Sequence, residues 1–157
     1  MSIVIVSVML VSALRVLGTA RAGDVTDTRR TIAVTLAQDL MEEILAQPYE
    51  DAIDGDGTGP DAGESGGTRS GFDDVDDYNA WTATPPQDKS GVEMVAYTGY
   101  TRSVQVVWAL PADPNADDVV ATGLKRIEVT IEYDGRRFAF LTAWRSSAFT
   151  PGPEAPP

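Results

Sequence analysis

The sequence predicts an α+β fold in which a long N-terminal helix packs on a small antiparallel β-sheet. Three observations carry this. Apolar residues recur at helical spacing between Thr31 and Gln47. Polarity alternates along Tyr97–Leu110 and Leu124–Tyr133, as in half-buried strands. Asp134-Gly135 then links the second run to a third, Arg136–Arg145, as a two-residue hairpin loop would.

The chain opens on an apolar stretch, Ser2–Leu17 (SIVIVSVMLVSALRVL). It is slightly shorter than the roughly 20 residues that cross a bilayer as a helix. Arg15 falls near its end, where a long side chain can snorkel to an interface. The β-branched residues Ile3, Val4, Ile5, Val6, Val8 and Val11 disfavour a helix mildly in water. In lipid the backbone must satisfy itself, which favours a helix. Three readings fit the stretch. It is a short membrane helix, a signal peptide ending at Ala20-Arg21-Ala22, or a buried core helix. Against the signal peptide, no Lys or Arg precedes the apolar run; the membrane or filament-core helix over 1–22 is the leading expectation.

Residues 23–47 are expected to continue that helix in amphipathic form. Gly18 and Gly23 weaken the junction. Beyond it Ile32, Leu36, Leu40 and Ile44 recur four apart, flanked by Ala33, Ala37, Met41 and Leu45. Gln38, Asp39, Glu42 and Glu43 take the opposite face. Pro48 ends the helix and pushes Gln47 out of the helical region.

Residues 48–97 read as an acidic Gly/Asp-rich loop region. A connection this long needs anchors, and Tyr49, Phe72, Tyr78 and Trp81 are the expected ones. The sheet follows over 98–146. Tyr100, Arg102, Val104, Val106 and Trp108 share one face of the first strand. Pro111–Gly123 reads as a loop. In the second strand Ile127, Val129, Ile131 and Tyr133 face inward. Phe138, Phe140, Thr142 and Trp144 share a face of the third. Leu36, Leu40, Ile44, Ile127, Val129 and Phe140 are the expected helix–sheet core. The Pro-rich tail, 147–157, is expected to be disordered.

Composition narrows function. The 157 residues contain no cysteine and no histidine, which argues against disulfides, nucleophilic triads and zinc sites. A net charge of −12 argues against nucleic acid, which needs clustered cations. Ten acids, Glu50, Asp51, Asp54, Asp56, Asp61, Glu64, Asp73, Asp74, Asp76 and Asp77, stand against the single cation Arg69 in their stretch. A solvated loop is the plain reading. Calcium is the alternative, with Asp54, Asp56, Asp73, Asp74 and Asp76 as candidate ligands. Asp54-Gly55-Asp56-Gly57-Thr58-Gly59 resembles the opening of a calcium loop, although its twelfth position is Ser65 rather than a bidentate Glu. Paired carboxylates in such Gly-rich sequence have no apolar pocket to raise a pKa, so no enzyme and no other cofactor are expected. Trp81, Trp108 and Trp144 suit core and loop anchoring better than a ligand surface.

The order of parts resembles the type IV pilin-like proteins, in particular minor pilins and type II secretion minor pseudopilins. LAQDLMEEILAQP (Leu36–Pro48) is similar to their helix segment. GFDDVDDYNAW (Gly71–Trp81), GYTRSVQVVW (Gly99–Trp108) and LKRIEVTIEYDG (Leu124–Gly135) are similar to phrases of a subset that includes the mannose-sensitive haemagglutinin pilus type. The resemblance covers most of residues 2–146. It implies a non-enzymatic structural subunit held by one helix in the bacterial inner membrane, with its C-terminal domain outside the cytoplasm. The subunit would then enter a filament. Its partners would be other pilin or pseudopilin subunits and membrane lipid, not nucleic acid. The family's basic leader, Gly cleavage position and Phe-Thr-Leu-x-Glu start are not in the sequence, and Met1-Ser2-Ile3 aligns inside the mature helix. The resemblance therefore places the processing site upstream of Met1. Arg15, Arg21, Arg29 and Arg30 alone would set the opposite orientation; basic residues upstream would correct it. The rival function is a secreted calcium-dependent binding module released after Ala22.

Overall fold

The computed structural model describes residues 25–50, 59–60 and 68–148. The expectations for the apolar segment 1–22, the acidic stretch around Asp54 and Asp56, and the tail beyond 148 lie outside these. The chain divides into two compact units, Met1–Ile32 and Ala33–Pro157. Of the first, the described part is the helical run 25–32, mostly exposed, in which the Thr31 hydroxyl donates to Asp27 O. Among the described residues, no helix is long and apolar enough to cross a membrane.

The helix α1 spans 25–45. From Ala33 onward it buries the expected stripe: Ala33, Leu36, Ala37, Leu40, Met41 and Ile44. Burying a Leu or Ile side chain contributes about 1.5–3 kcal/mol, so this stripe fixes the helix on what it covers. The last turn tightens before Pro48, with Gln47 N donating to Ile44 O.

What it covers is a five-stranded antiparallel sheet. The strands are β1 (Thr82–Ala83), β2 (Tyr100–Leu110), β3 (Asp113–Asp118), β4 (Leu124–Tyr133) and β5 (Arg136–Ser146). The order is β1-β2-β4-β5, and β3 pairs with β2 on the side that β1 also uses. The α+β class and the helix-on-sheet layering thus hold. The region expected as a loop, 111–123, instead contains β3, which pairs through Trp108–Asp118 and Ala109–Asp117. DPNADD has no strand propensity, so the paired backbone of β2 decides its conformation.

The hairpin between β4 and β5 turns at Asp134-Gly135, both at positive φ (49° and 73°), the type I′ geometry. Pairing Tyr133 with Arg136 would by simple alternation send Phe138 and Phe140 inward. It does not. The register shifts between Ile131 and Glu132, so that Ile131 pairs with Ala139 and Glu132 with Arg137. This bulge absorbs Phe138 and reverses the parity of the rest of β5. Ala139, Leu141, Ala143 and Arg145 now share the inner face with Ile131, Val129, Ile127 and Lys125. Phe140 and Trp144 point outward, 44% and 45% exposed. The expected core therefore stands for Leu36, Leu40, Ile44, Ile127 and Val129, and is corrected at Phe140.

The connection from helix to sheet is pinned by Tyr49, Phe72, Tyr78 and Trp81, all buried. Phe72 meets Tyr78 edge-on at 5.0 Å. A second aromatic run, Tyr97–Tyr100–Tyr133–Phe138, closes the hairpin end of the sheet. Gly99 is needed there: its φ is +92°, and an added Cβ would lie 3.0 Å from the Tyr133 ring.

Candidate functional site

Two regions carry chemistry: the acidic turn 73–78 with the cations around it, and a depression on the outer face of the sheet.

In the acidic turn the side chains fold back on their own backbone. Asp74 Oδ1 accepts from the amides of Asp76 and Asp77, at 2.9 and 3.2 Å. Asp77 Oδ2 accepts from the amides of Asp73 and Asp74. These bonds shape the 3₁₀ turn Asp76–Tyr78. Asp76 reaches across to Lys125 on β4, and both side chains are buried. Burial pushes the Asp76 carboxyl up to about 6, against the pull of the Lys125 ammonium and with Asp74 adding to the rise. Of the five candidate calcium ligands, the structure brings Asp73, Asp74 and Asp76 into one turn; Asp54 and Asp56 lie outside the described residues. Among the described residues no group of three or more Asp, Glu, His or Cys side chains is placed to hold a metal ion.

Lys125 is one of four buried cations between the helix, the loop and the sheet. Its ammonium also donates to Tyr49 O at 2.6 Å and lies 4.2 Å from the Tyr49 ring centroid. Arg145 donates to Gln47 O at 3.0 Å. Arg102 donates to Leu36 O at 2.8 Å and to Gln87 O. Burial lowers the Arg102 pKa, and the neighbouring Arg69 charge lowers it further. Arg69 grips Glu43 through two bonds, 2.9 and 3.1 Å, and stacks 4.2 Å over Trp81. Tyr78 donates to the same Glu43 carboxylate, and its phenol pKa is raised, chiefly by burial. Two of the cations meet carbonyls just past the helix C-terminus, where the dipole favours positive charge. The Tyr49 phenol is raised to about 12, first by burial and then by Glu50 and Asp76.

Strand parity could have found most of this layer. Arg102 alternates with Tyr100 and Val104, and Lys125 with Ile127, so both face inward. The acceptors could not be read, because they are backbone carbonyls remote in sequence.

The outer face is different. Arg126 donates to Glu128 at 2.8 Å, to Asn115 O, and to Asp117. Trp144 Nε1 donates to Pro114 O at 3.0 Å, tying β3 across this face. Between β1 and β3 the edge of β2 is met by a loop. Val104 N donates to Trp81 O, and Val106 N donates to the Asn79 side-chain oxygen. A depression of about 500 Å³ opens beside it, lined by Asn79, Trp81, Thr82, Ser103, Gln105, Glu128 and Thr130 among others. Its amides and hydroxyls suit hydrogen bonding to a polar surface. Glu128 is its one ionisable lining group and is held by Arg126. Of the three tryptophans, Trp81 is buried under Arg69, Trp108 is half-buried and Trp144 is exposed.

Comparison with protein-family models finds no match, and comparisons with curated proteins and with solved structures likewise return no similar protein.

Proposed function

We propose that the chain is a non-enzymatic structural subunit of a type IV pilus or a type II secretion pseudopilus. The reading rests chiefly on the order of parts. A helix with one buried stripe leads through an aromatic-pinned loop into an antiparallel sheet that the helix covers. In this reading the apolar segment Ser2–Leu17 holds the subunit in the bacterial inner membrane and then packs among neighbouring helices. Lipid tails and a helix bundle are about equally apolar, so close side-chain packing drives that association. The buried cation layer fits the same role, because it locks the helix to the sheet and lets the domain move as one body with it. The carboxylates of the acidic turn are engaged by backbone amides and by Lys125, in keeping with a structural part.

The cysteine-free chain makes this testable. Ser7→Cys and Ser12→Cys each place one thiol in the apolar segment. Each thiol, loaded with a thiol-reactive photo-cross-linker that inserts into C–H bonds of whatever lies beside it, is expected on irradiation of cells carrying the assembled system to join the subunit to neighbouring pilin or pseudopilin subunits. Cross-links to none of them at either position would count against a filament-core helix.

A further inference from the structure

We propose that the free edge of β5 is a strand-addition site for an extended, mainly apolar segment of another protein, with carboxylates at the end lying beside Arg136 and Arg137. The inference does not depend on the filament reading.

β5 is the end strand of the sheet and is 11 residues long. Among the described residues, no strand pairs on its other side, and no loop backbone hydrogen bond reaches residues 136–144. Exposed edges are normally blunted by shortness, by Pro, or by a charge near the middle. Phe138–Trp144 (FAFLTAW) has none of these, and no Gly. The bulge falls at Phe138, near the start of the strand, and the pairing with β4 is regular from Ala139 to Ser146. Unpaired amides and carbonyls along such an edge are the standard template for an added strand, with side-chain pockets supplying selectivity.

Charge selects the occupant. Among the described residues from Ala33 onward, Arg69, Arg102, Lys125, Arg126 and Arg145 are buried, and the exposed cations are Lys89, Arg136 and Arg137. The exposed Asp and Glu residues over the same span number nine. The one adjacent pair of exposed cations therefore sits at the start of the unguarded edge. The two guanidinium groups also lie by the aromatic rings of the strand. Arg137 is 5.4 Å from the Phe140 centroid and Arg136 is 5.8 Å from that of Phe138. Cation and apolar surface form one strip.

A second copy fits this strip poorly. Each copy carries −12, and like net charges repel. Antiparallel self-pairing about Leu141 would also set Arg137 opposite Arg145, a like-charge pair across strands. A short segment ending in carboxylates carries far less negative charge than a second copy and sets no cation opposite Arg145.

The test uses the full chain and two synthetic peptides of alternating Val and Thr, one ending in two Asp and its twin in two Lys. The Asp peptide is expected to slow amide hydrogen exchange within β5 and to bind at least tenfold more tightly than the Lys peptide. Arg136→Glu with Arg137→Glu is expected to reverse that preference. Phe140→Lys, at an exposed position, is expected to abolish binding while the unfolding temperature stays within a few degrees. Equal binding of both peptides, protection elsewhere than β5, or a peptide-free dimer protected along β5 would each overturn the proposal.

Discussion

Asp76 sits under two opposing demands. It accepts the Lys125 ammonium in a buried pair, yet burial holds its carboxyl at about 6 rather than 3.8. For this carboxylate the cost of leaving water outweighs the pull of the ammonium. The sign of the pH effect follows. A carboxyl raised in the folded state binds its proton more tightly there than in the unfolded chain. Its stabilising contribution is fully present below about pH 4 and is lost as the pH rises through about 6. Asp76→Asn has no such proton to lose. The unfolding temperature of the wild type, measured relative to Asp76→Asn, should therefore rise as the pH falls from 7 to 5. A difference that stays flat, or falls, across that range would contradict the assignment. At this scale the sequence was partly legible. The acidic run was visible, but its partners were not, since Lys125 is 49 residues away and the other acceptors and donors are backbone groups.

Among the elements, α1 and β4 follow from pattern alone and β5 does not. The stripe Leu36, Leu40, Ile44 and the alternation Ile127, Val129, Ile131 each bury as their periods require. Period 2 also predicts an inward Phe140, and one bulge defeats it, because a single inserted residue exchanges the faces of the whole strand. Nothing in RRFAFLTAW marks the extra residue, since both faces carry apolar side chains. β3 was invisible for another reason: DPNADD pairs only because β2 is already in place beside it. The two kinds of site should respond differently to truncation. Leu40→Ala is expected to cost about 2–5 kcal/mol, as for a fully buried leucine. Phe140→Ala is expected to cost less than about 1 kcal/mol, as for an outward position. Urea unfolding of the two variants measures both, and a larger loss at Phe140 than at Leu40 would mean that β5 has the unshifted register.

For the whole molecule, one design runs through the parts. The helix is held by an apolar stripe, by Arg102 of β2 at its Leu36 carbonyl, and by cations of β4 and β5 at the carbonyls of Tyr49 and Gln47 just past its end. The inner face of the sheet is spent on that grip. Among the described residues, no further strand pairs with the β5 edge. In the proposed role the chain works while still attached to its apolar N-terminal segment, as a membrane-held filament subunit. The most direct test is the intact mass and N-terminal sequence of the native protein, together with the fraction in which it is found. The expected result is a membrane- or filament-associated protein that retains Ser2–Leu17. A protein released into the medium and beginning at Gly23 would contradict it.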